Sequence, residues 1–394
     1  METCYIIDAV RTPIGRYGGK LSTVRPDDLL ALVIKALIER NPSIDTALIE
    51  DVIAGAANQS GEDNRDVARM AALLAGLPIT VAGNTVNRLC ASGLQAIMDA
   101  ARAIQCGEGM FYIAGGVESM TRAPFVTAKS DGAFSRKVET YDTTIGWRFT
   151  NKKLAALYHP YSMGETAENV AQQWHITREM QDEFAYHSQE KYSEAHAANA
   201  FAKELIPVEI TENKEPVLFT TDEHPRATTL EKLALLKPAF AKDGTVTAGN
   251  SSGINDGASA LLLASEKAVK LFQLKPLARV VSMAVAGVHP SIMGVGPVPA
   301  TQKALQRAGI GVNQLVHAEL NEAFAAQAVA CRNDLHINPS IVNPFGGAIA
   351  LGHPLGCSGA RITTTLVHAM PQGFGLATMC VGVGQGAALV VEKL

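Results

Sequence analysis

The sequence predicts an α/β protein made of two copies of one β-α-β unit, with a polar insertion inside the first copy. Three observations predict it. Short apolar runs end in glycine, as in Ala114-Gly115-Gly116 and Gly382-Val383-Gly384-Gln385-Gly386. They alternate with amphipathic stretches, as strands and covering helices do. The same order of segments recurs near residue 300, which points to an internal duplication.

Each element follows from its own pattern. Tyr5-Ile6-Ile7 opens the first strand. Residues 27–39 read as a helix, because Leu29, Leu30, Leu32, Val33 and Leu37 form one apolar stripe. Residues 51–55 are the next strand, leading into Ala56-Ala57-Asn58-Gln59. Cys90-Ala91-Ser92-Gly93 starts a helix that leads to a strand at 111–114. In the second copy, 299–308 is the helix and 315–320 the strand, ending in Asn321-Glu322-Ala323-Phe324. Cys357-Ser358-Gly359 then starts the helix before a strand at 376–381. Residues 122–249 are more polar and charged, with one long helical stretch at 167–200 that Thr177 can cap, Glu179 and Asp182 lying near the helix N-terminus. Such an insertion is expected to lie over one half as a lid or ligand surface. An apolar strand at 257–264 resumes the first half. The expected division is 1–121 plus 250–272 for the N-terminal half, 122–249 for an inserted loop domain, and 273–394 for the C-terminal half.

Composition bounds the function. The 394 residues are 47% hydrophobic and 18% charged, which supports large cores and argues against disorder. Lys and Arg total 34 against 38 Asp and Glu, a net charge of −4 with no basic block, so no nucleic-acid partner is expected. No uninterrupted apolar run reaches about 20 residues and no secretory pattern is visible, so a cytoplasmic protein without a membrane partner is expected. The 6 cysteines are dispersed without CxxC spacing, which points to reduced thiols and no metal site.

Three residues stand out for chemistry. Cys90 sits at a strand-to-helix junction among small residues, where the helix N-terminus favours a thiolate. It is either a nucleophile or an inert buried thiol. His353, held between Gly352 and Pro354, is placed either to take the thiol proton as a general base or merely to pack. The other nine histidines read as surface or packing residues. Cys380 ends an apolar strand, where α/β sheets place chemistry, with glycine N–H groups beyond it able to hold an oxyanion. Taken alone it reads more readily as a core cysteine. Cys4, Cys106, Cys331 and Cys357 read as inert, and the glycines at 382–386 lack the following helix of a dinucleotide site.

Five motifs together resemble the thiolase family over nearly the whole chain. They are Asn87-Arg88-Leu89-Cys90-Ala91-Ser92-Gly93, Thr247-Ala248-Gly249-Asn250-Ser251-Ser252-Gly253, Asn321-Glu322-Ala323-Phe324, the run from Gly346 to Pro354, and Cys380-Val381-Gly382-Val383-Gly384. The resemblance implies a duplicated five-layer α-β-α-β-α fold and ping-pong acyl transfer between a 3-ketoacyl-CoA and coenzyme A. Coenzyme A would be a co-substrate, with no permanently bound cofactor, and the assembly a homodimer or homotetramer. It further implies Cys90 as nucleophile, His353 as its base and Cys380 as the second acid–base. Asn321 would hold a water beside His353, and the N–H of Gly382 would join that of Cys90 at the tetrahedral intermediate. Coenzyme A would lie along Met163, Leu236, Phe240, Ala248 and Ser252, with Ala323 and Phe324 around the pantetheine and Arg226 toward the phosphates.

Three further segments, 11–19, 61–70 and 143–149, resemble the members that cleave β-ketoadipyl-CoA. Such a chain needs a cation for its distal carboxylate, and Arg148 and Arg65 are the candidates, unless both serve the fold or a subunit interface. Gly164, after Met163, departs toward the acetoacetyl-CoA members. A non-catalytic relative would have lost Cys90, His353 or Cys380. A decarboxylating synthase would carry a histidine where Asn321 stands.

Overall fold

The computed structural model describes residues 2–130 and 132–394. The first half contains β1 (Cys4–Arg11), α1 (Pro26–Arg40), β2 (Ile49–Gly55), α2 (Val67–Leu74), β3 (Ala82–Val86), α3 (Ser92–Cys106) and β4 (Phe111–Ser119). The insertion follows, with helices α4 (Met163–Gln173) and α5 (Arg178–Ala197), and the first half closes with β5 (Asn255–Ser265). The second half contains β6 (Ala278–Gly287), α6 (Pro297–Ala308), β7 (Leu315–Leu320), α7 (Ala325–Asp334), α8 (Leu355–Ala369), β8 (Gly373–Val381) and β9 (Gln385–Lys393).

The strands join in the order β3-β2-β4-β5-β1-β6-β9-β8-β7. β2 is parallel to β3 and β4, while β5 is antiparallel to β4 and β1. The second half repeats this: β7 is parallel to β8, and β9 is antiparallel to β8 and β6. A parallel bridge from Ala318 to Val342 stands where β3 stands in the first copy. Among the described residues the two sheets pair through Tyr5–Arg279 and Ile6–Ala278 of β1 and β6.

Side-chain alternation along the strands sets the layers. Val52 faces α1 and α2 on the outside, among Leu30, Val33 and Ala68. Ile53, its neighbour, faces inward to a shared middle core with Ile97 of α3, Ile362 and Leu366 of α8, and Met379 and Leu389 of the second sheet. Ala300 and Ala304 of α6 and Ala328 of α7 cover the other outer face with Leu320 and Leu376. The result is the expected five-layer α-β-α-β-α arrangement.

Two elements depart from expectation. The stretch at 167–200 is two helices, not one. His175 takes a φ of 54° at the break, and Thr177 caps α5 by accepting from the Met180 N–H. The apolar pattern runs through because Val170 and Ile176 enter one cluster with Met180 against it. The strand expected at 111–114 continues to Ser119, with its glycine pair inside it. A Cβ on Gly116 would lie 2.0 Å from the Gly356 carbonyl oxygen, so the glycine admits a helix end rather than ending the strand. Among the described residues no helix is long and apolar enough to cross a membrane.

Candidate active site

Cys90 lies in the turn between β3 and α3. Leu89 takes a φ of 46°, and Asn87 Oδ1 accepts from its N–H at 2.8 Å. Ser92 Oγ donates to the Leu89 carbonyl at 2.6 Å and accepts from the Arg88 N–H at 2.9 Å. Arg88 reaches across the seam to Gln385 Oε1 at 2.8 Å, tying the turn to the second half. The thiol opens on a cavity of about 270 Å³ that Met163, Arg148, Glu118 and Gly382 also line.

Glycine brings the two halves together here. A Cβ on Gly93 would lie 2.6 Å from the Gly356 carbonyl oxygen and 2.9 Å from the Ala360 nitrogen, so α3 and α8 cross in backbone contact at their first turns. His353 immediately precedes α8. Its backbone N–H donates to Asn255 Oδ1 at 2.9 Å, and its Nδ1 lies 2.6 Å from Ser358 Oγ. Ser358 gives its own proton to the Pro354 carbonyl at 2.8 Å, so it accepts from Nδ1–H and leaves Nε2 as a bare lone pair. Asn321 Nδ2 lies 3.4 Å from Nε2, and Asn321 Oδ1 is buried without a protein partner. Burial, reinforced by the Arg361 charge, pushes the imidazole down to about 3, so the ring is uncharged.

Cys380, near the end of β8, is buried in an apolar cluster with Met293, Ala323 and Phe324, and Met163 packs against it. Burial holds this thiol well above its usual range, and nearby Cys90 raises it further. The Gly382 N–H donates to the Cys90 sulfur, yet burial pushes that thiol up to about 11. This corrects the expectation of a thiolate favoured by the helix end. Desolvation outweighs that field, and the resting sulfur keeps its proton.

The insertion and the chain just after it both contact the second half. Ser252 donates from both N and Oγ to the Ala323 carbonyl at 3.0 Å, and Ser251 bridges to Phe324. Phe240 meets the Phe324 ring edge-on at 6.1 Å, and with Leu236 it remains about 40% exposed. Arg226 donates to the carbonyl of exposed Ala248 at 2.8 Å and lines a separate pocket with Tyr186 and His196. Arg65 is exposed on a loop away from the Cys90 cavity, which Arg148 lines. Among the described residues no group of His, Cys, Asp and Glu converges as a metal site.

Sequence reasoning missed three supporting residues. Glu118 accepts N–H bonds from Ala57, Asn58 and Gly356 at 2.7–3.0 Å, joining both halves, and burial pushes its carboxyl up to about 7. Its signal was a carboxylate at the end of an apolar strand. Ser358 was legible only as part of a helix start, and Asn255 carried no signal. His317, buried and 2.8 Å from Glu319, is one of the packing histidines.

Thioester exchange is the chemistry such a seam serves, which makes the class an acyltransferase. The chain belongs to the thiolase family: residues 4–267 match its N-terminal domain and residues 274–393 its C-terminal domain. It is 57% identical to the "Beta-ketoadipyl-CoA thiolase" of Acinetobacter baylyi over 100% of both chains. It is 54% identical, over the same coverage, to the Escherichia coli "3-oxoadipyl-CoA/3-oxo-5,6-dehydrosuberyl-CoA thiolase". The crystal structure of human mitochondrial 3-ketoacyl-CoA thiolase in complex with CoA superposes with a TM-score of 0.92 at 38% identity, covering 100% of this chain and 98% of that one.

Proposed function

We propose that this thiolase cleaves 3-oxoadipyl-CoA with coenzyme A to acetyl-CoA and succinyl-CoA. The observation that carries the chemistry is the unprotonated Nε2 of His353, with Asn321 Nδ2 at 3.4 Å, beside a pair of neighbouring thiols, Cys90 and Cys380. Nε2 takes the Cys90 proton as the sulfur attacks the 3-keto carbon. The C2–C3 bond then breaks, leaving an acyl-Cys90 thioester and the enolate of acetyl-CoA, which Cys380 protonates at carbon. The Cys380 thiolate next takes the proton of the incoming coenzyme A. The coenzyme A thiolate attacks the acyl group, the Cys90 sulfur leaves and takes its proton back from His353 Nε2, and succinyl-CoA forms.

Charge develops twice, and each time donors are at hand. His353, once protonated at Nε2, and a water held by the unpaired Oδ1 of Asn321 serve the thioester oxygen. The N–H groups of Cys90 and Gly382 serve the tetrahedral intermediate, each donor worth about a hundredfold to a thousandfold in rate. Residues 122–249 act as the inserted loop domain that receives coenzyme A between the two halves. The exposed apolar faces of Leu236 and Phe240 support this, with Met163, Ala248, Ser252, Ala323 and Phe324 nearer the cavity and Arg226 at the phosphate end. Edge strand β3 offers its free side to a second copy, in keeping with a cytoplasmic homodimer or a tetramer built from dimers.

The substrate reading rests on the two relatives named for dicarboxylic substrates. Its test is CoA-dependent cleavage of 3-oxoadipyl-CoA beside acetoacetyl-CoA. A preference for the first is expected, with turnover falling at least about a thousandfold in Cys90→Ser. Preference for acetoacetyl-CoA overturns the substrate and leaves the mechanism. Turnover surviving in Cys90→Ser overturns the mechanism.

A further inference from the structure

Among the described residues, Arg148 is the one cation lining the cavity in front of Cys90. It is half-buried and has no carboxylate partner among the described residues, unlike Arg122 and Arg178, which each hold one, and Arg11, which holds two. Its position is built rather than loose. Asn58 Nδ2 donates to Thr143 Oγ1 at 2.8 Å, Thr143 Oγ1 donates to the Pro124 carbonyl at 2.6 Å, and Trp147 Nε1 donates to the Tyr161 carbonyl at 3.0 Å. The cavity-lining stretch 143–148 is therefore fastened at its first residue and at the residue before Arg148.

No other lining side chain is a cation: Asn58 and Trp147 spend their donors on Thr143 and the Tyr161 carbonyl, Thr143 spends its own on the Pro124 carbonyl, and Thr144 is uncharged. Met120, Ala123, Ile145 and Leu355 are apolar. Glu118, the single carboxylate, is engaged by three backbone N–H groups and would repel an anion. We propose that Arg148 is the specificity-determining residue of this cavity, receiving the distal carboxylate of a dicarboxylic 3-oxoacyl chain whose keto carbon rests at Cys90. The inference rests on the substrate reading above and names the side chain that enforces it. A guanidinium removed from bulk water without a partner loses hydration, and a carboxylate restores its bonding in a two-pronged, charge-assisted contact. A neutral chain of the same length fills the apolar wall and leaves the cation unpaired.

The test compares kcat/KM for 3-oxoadipyl-CoA with that for 3-oxohexanoyl-CoA, which has the same carbon count and no distal carboxylate. In the wild-type protein the ratio favours the dicarboxylic substrate. In Arg148→Met that ratio falls about 30-fold to 100-fold, and Arg148→Lys, which keeps a charge without the fork, lies between. A wild-type preference with an unchanged ratio in Arg148→Met, both substrates losing alike, overturns the role of Arg148 while the substrate reading stands. A wild-type protein without preference for the dicarboxylic chain overturns both.

Discussion

A general base needs a free lone pair on an uncharged ring, and at His353 one hydroxyl secures the first of these. Because Ser358 has spent its proton on the Pro354 carbonyl, it holds the Nδ1–H tautomer. Ser358→Ala removes that acceptor and leaves a buried donor unsatisfied, a loss of about 1–3 kcal/mol. Expressed in the transition state, this lowers kcat about tenfold to a hundredfold with KM little changed; an unaltered kcat would refute the tautomer argument. The ring's protonation gives a second outcome. Its folded value is lowered from 6.5 to about 3, so between these pH values the unfolded chain binds the proton and the folded chain does not. The His353 contribution to stability is therefore lost as pH falls through that window, and kcat/KM for the free enzyme should show no inflection near 6.5. A kcat/KM profile that bends there would mean an ordinary solvated imidazole. At this scale Cys90, His353 and Cys380 were legible because their immediate neighbours are unusual. Ser358, Glu118 and Asn255 were not, because each acts through a partner whose geometry only the folded turns create.

Elements meet at this site through absence of side chain. The first turns of α3 and α8 touch because Gly93 faces the Gly356 carbonyl and the Ala360 nitrogen. Gly93→Ala places a methyl carbon 2.6 Å from that oxygen, against backbone that has no flexible end to yield. The helices must separate, which moves Cys90 relative to His353. The expected result is destabilisation by about 2 kcal/mol or more, read from denaturant unfolding, and a fall in kcat larger than that of KM, since a misplacement of about 1 Å costs roughly a hundredfold. Wild-type kcat in a folded Gly93→Ala protein would show that the crossing does not set the geometry. Helix and strand positions were largely legible from their periods. The break at His175 was not, because Val170, Ile176 and Met180 feed one core from both sides of it. The true length of β4 was hidden for a related reason: glycine usually marks an end, and here it marks a close approach.

At the scale of the whole molecule, duplication explains why the site lies where it does. Among the described residues the middle layer is where equivalent helices of both halves share a core, so the proposed nucleophile comes from the first copy and the proposed base and second thiol from the other. Segment order made this legible, while the attachment of the insertion was not, since it depends on one residue whose partners are 193 and 211 positions away. Arg11, at the end of β1, is fully buried and pairs with Glu204 at 2.5 Å and Asp222 at 2.7 Å, both in the insertion. Asp222 also accepts from the Ile14 N–H, so the clamp orders backbone on both sides. Arg11→Met keeps most of the side-chain volume but leaves two buried carboxylates without their cation, at a cost of about 3–5 kcal/mol. Arg16 supplies the contrast: in its pair with Glu223 at 3.3 Å the Arg16 side chain is 66% exposed and Glu223 keeps two backbone N–H donors, so Arg16→Ala should cost no more than about 1 kcal/mol. Urea unfolding of the two variants measures this difference directly. Because the insertion carries the proposed coenzyme A surface, Arg11→Met should also raise KM for coenzyme A more than it lowers kcat, and expose 122–249 to limited proteolysis. If the two variants unfold at the same urea concentration, the clamp is not what fastens the insertion to the duplicated core.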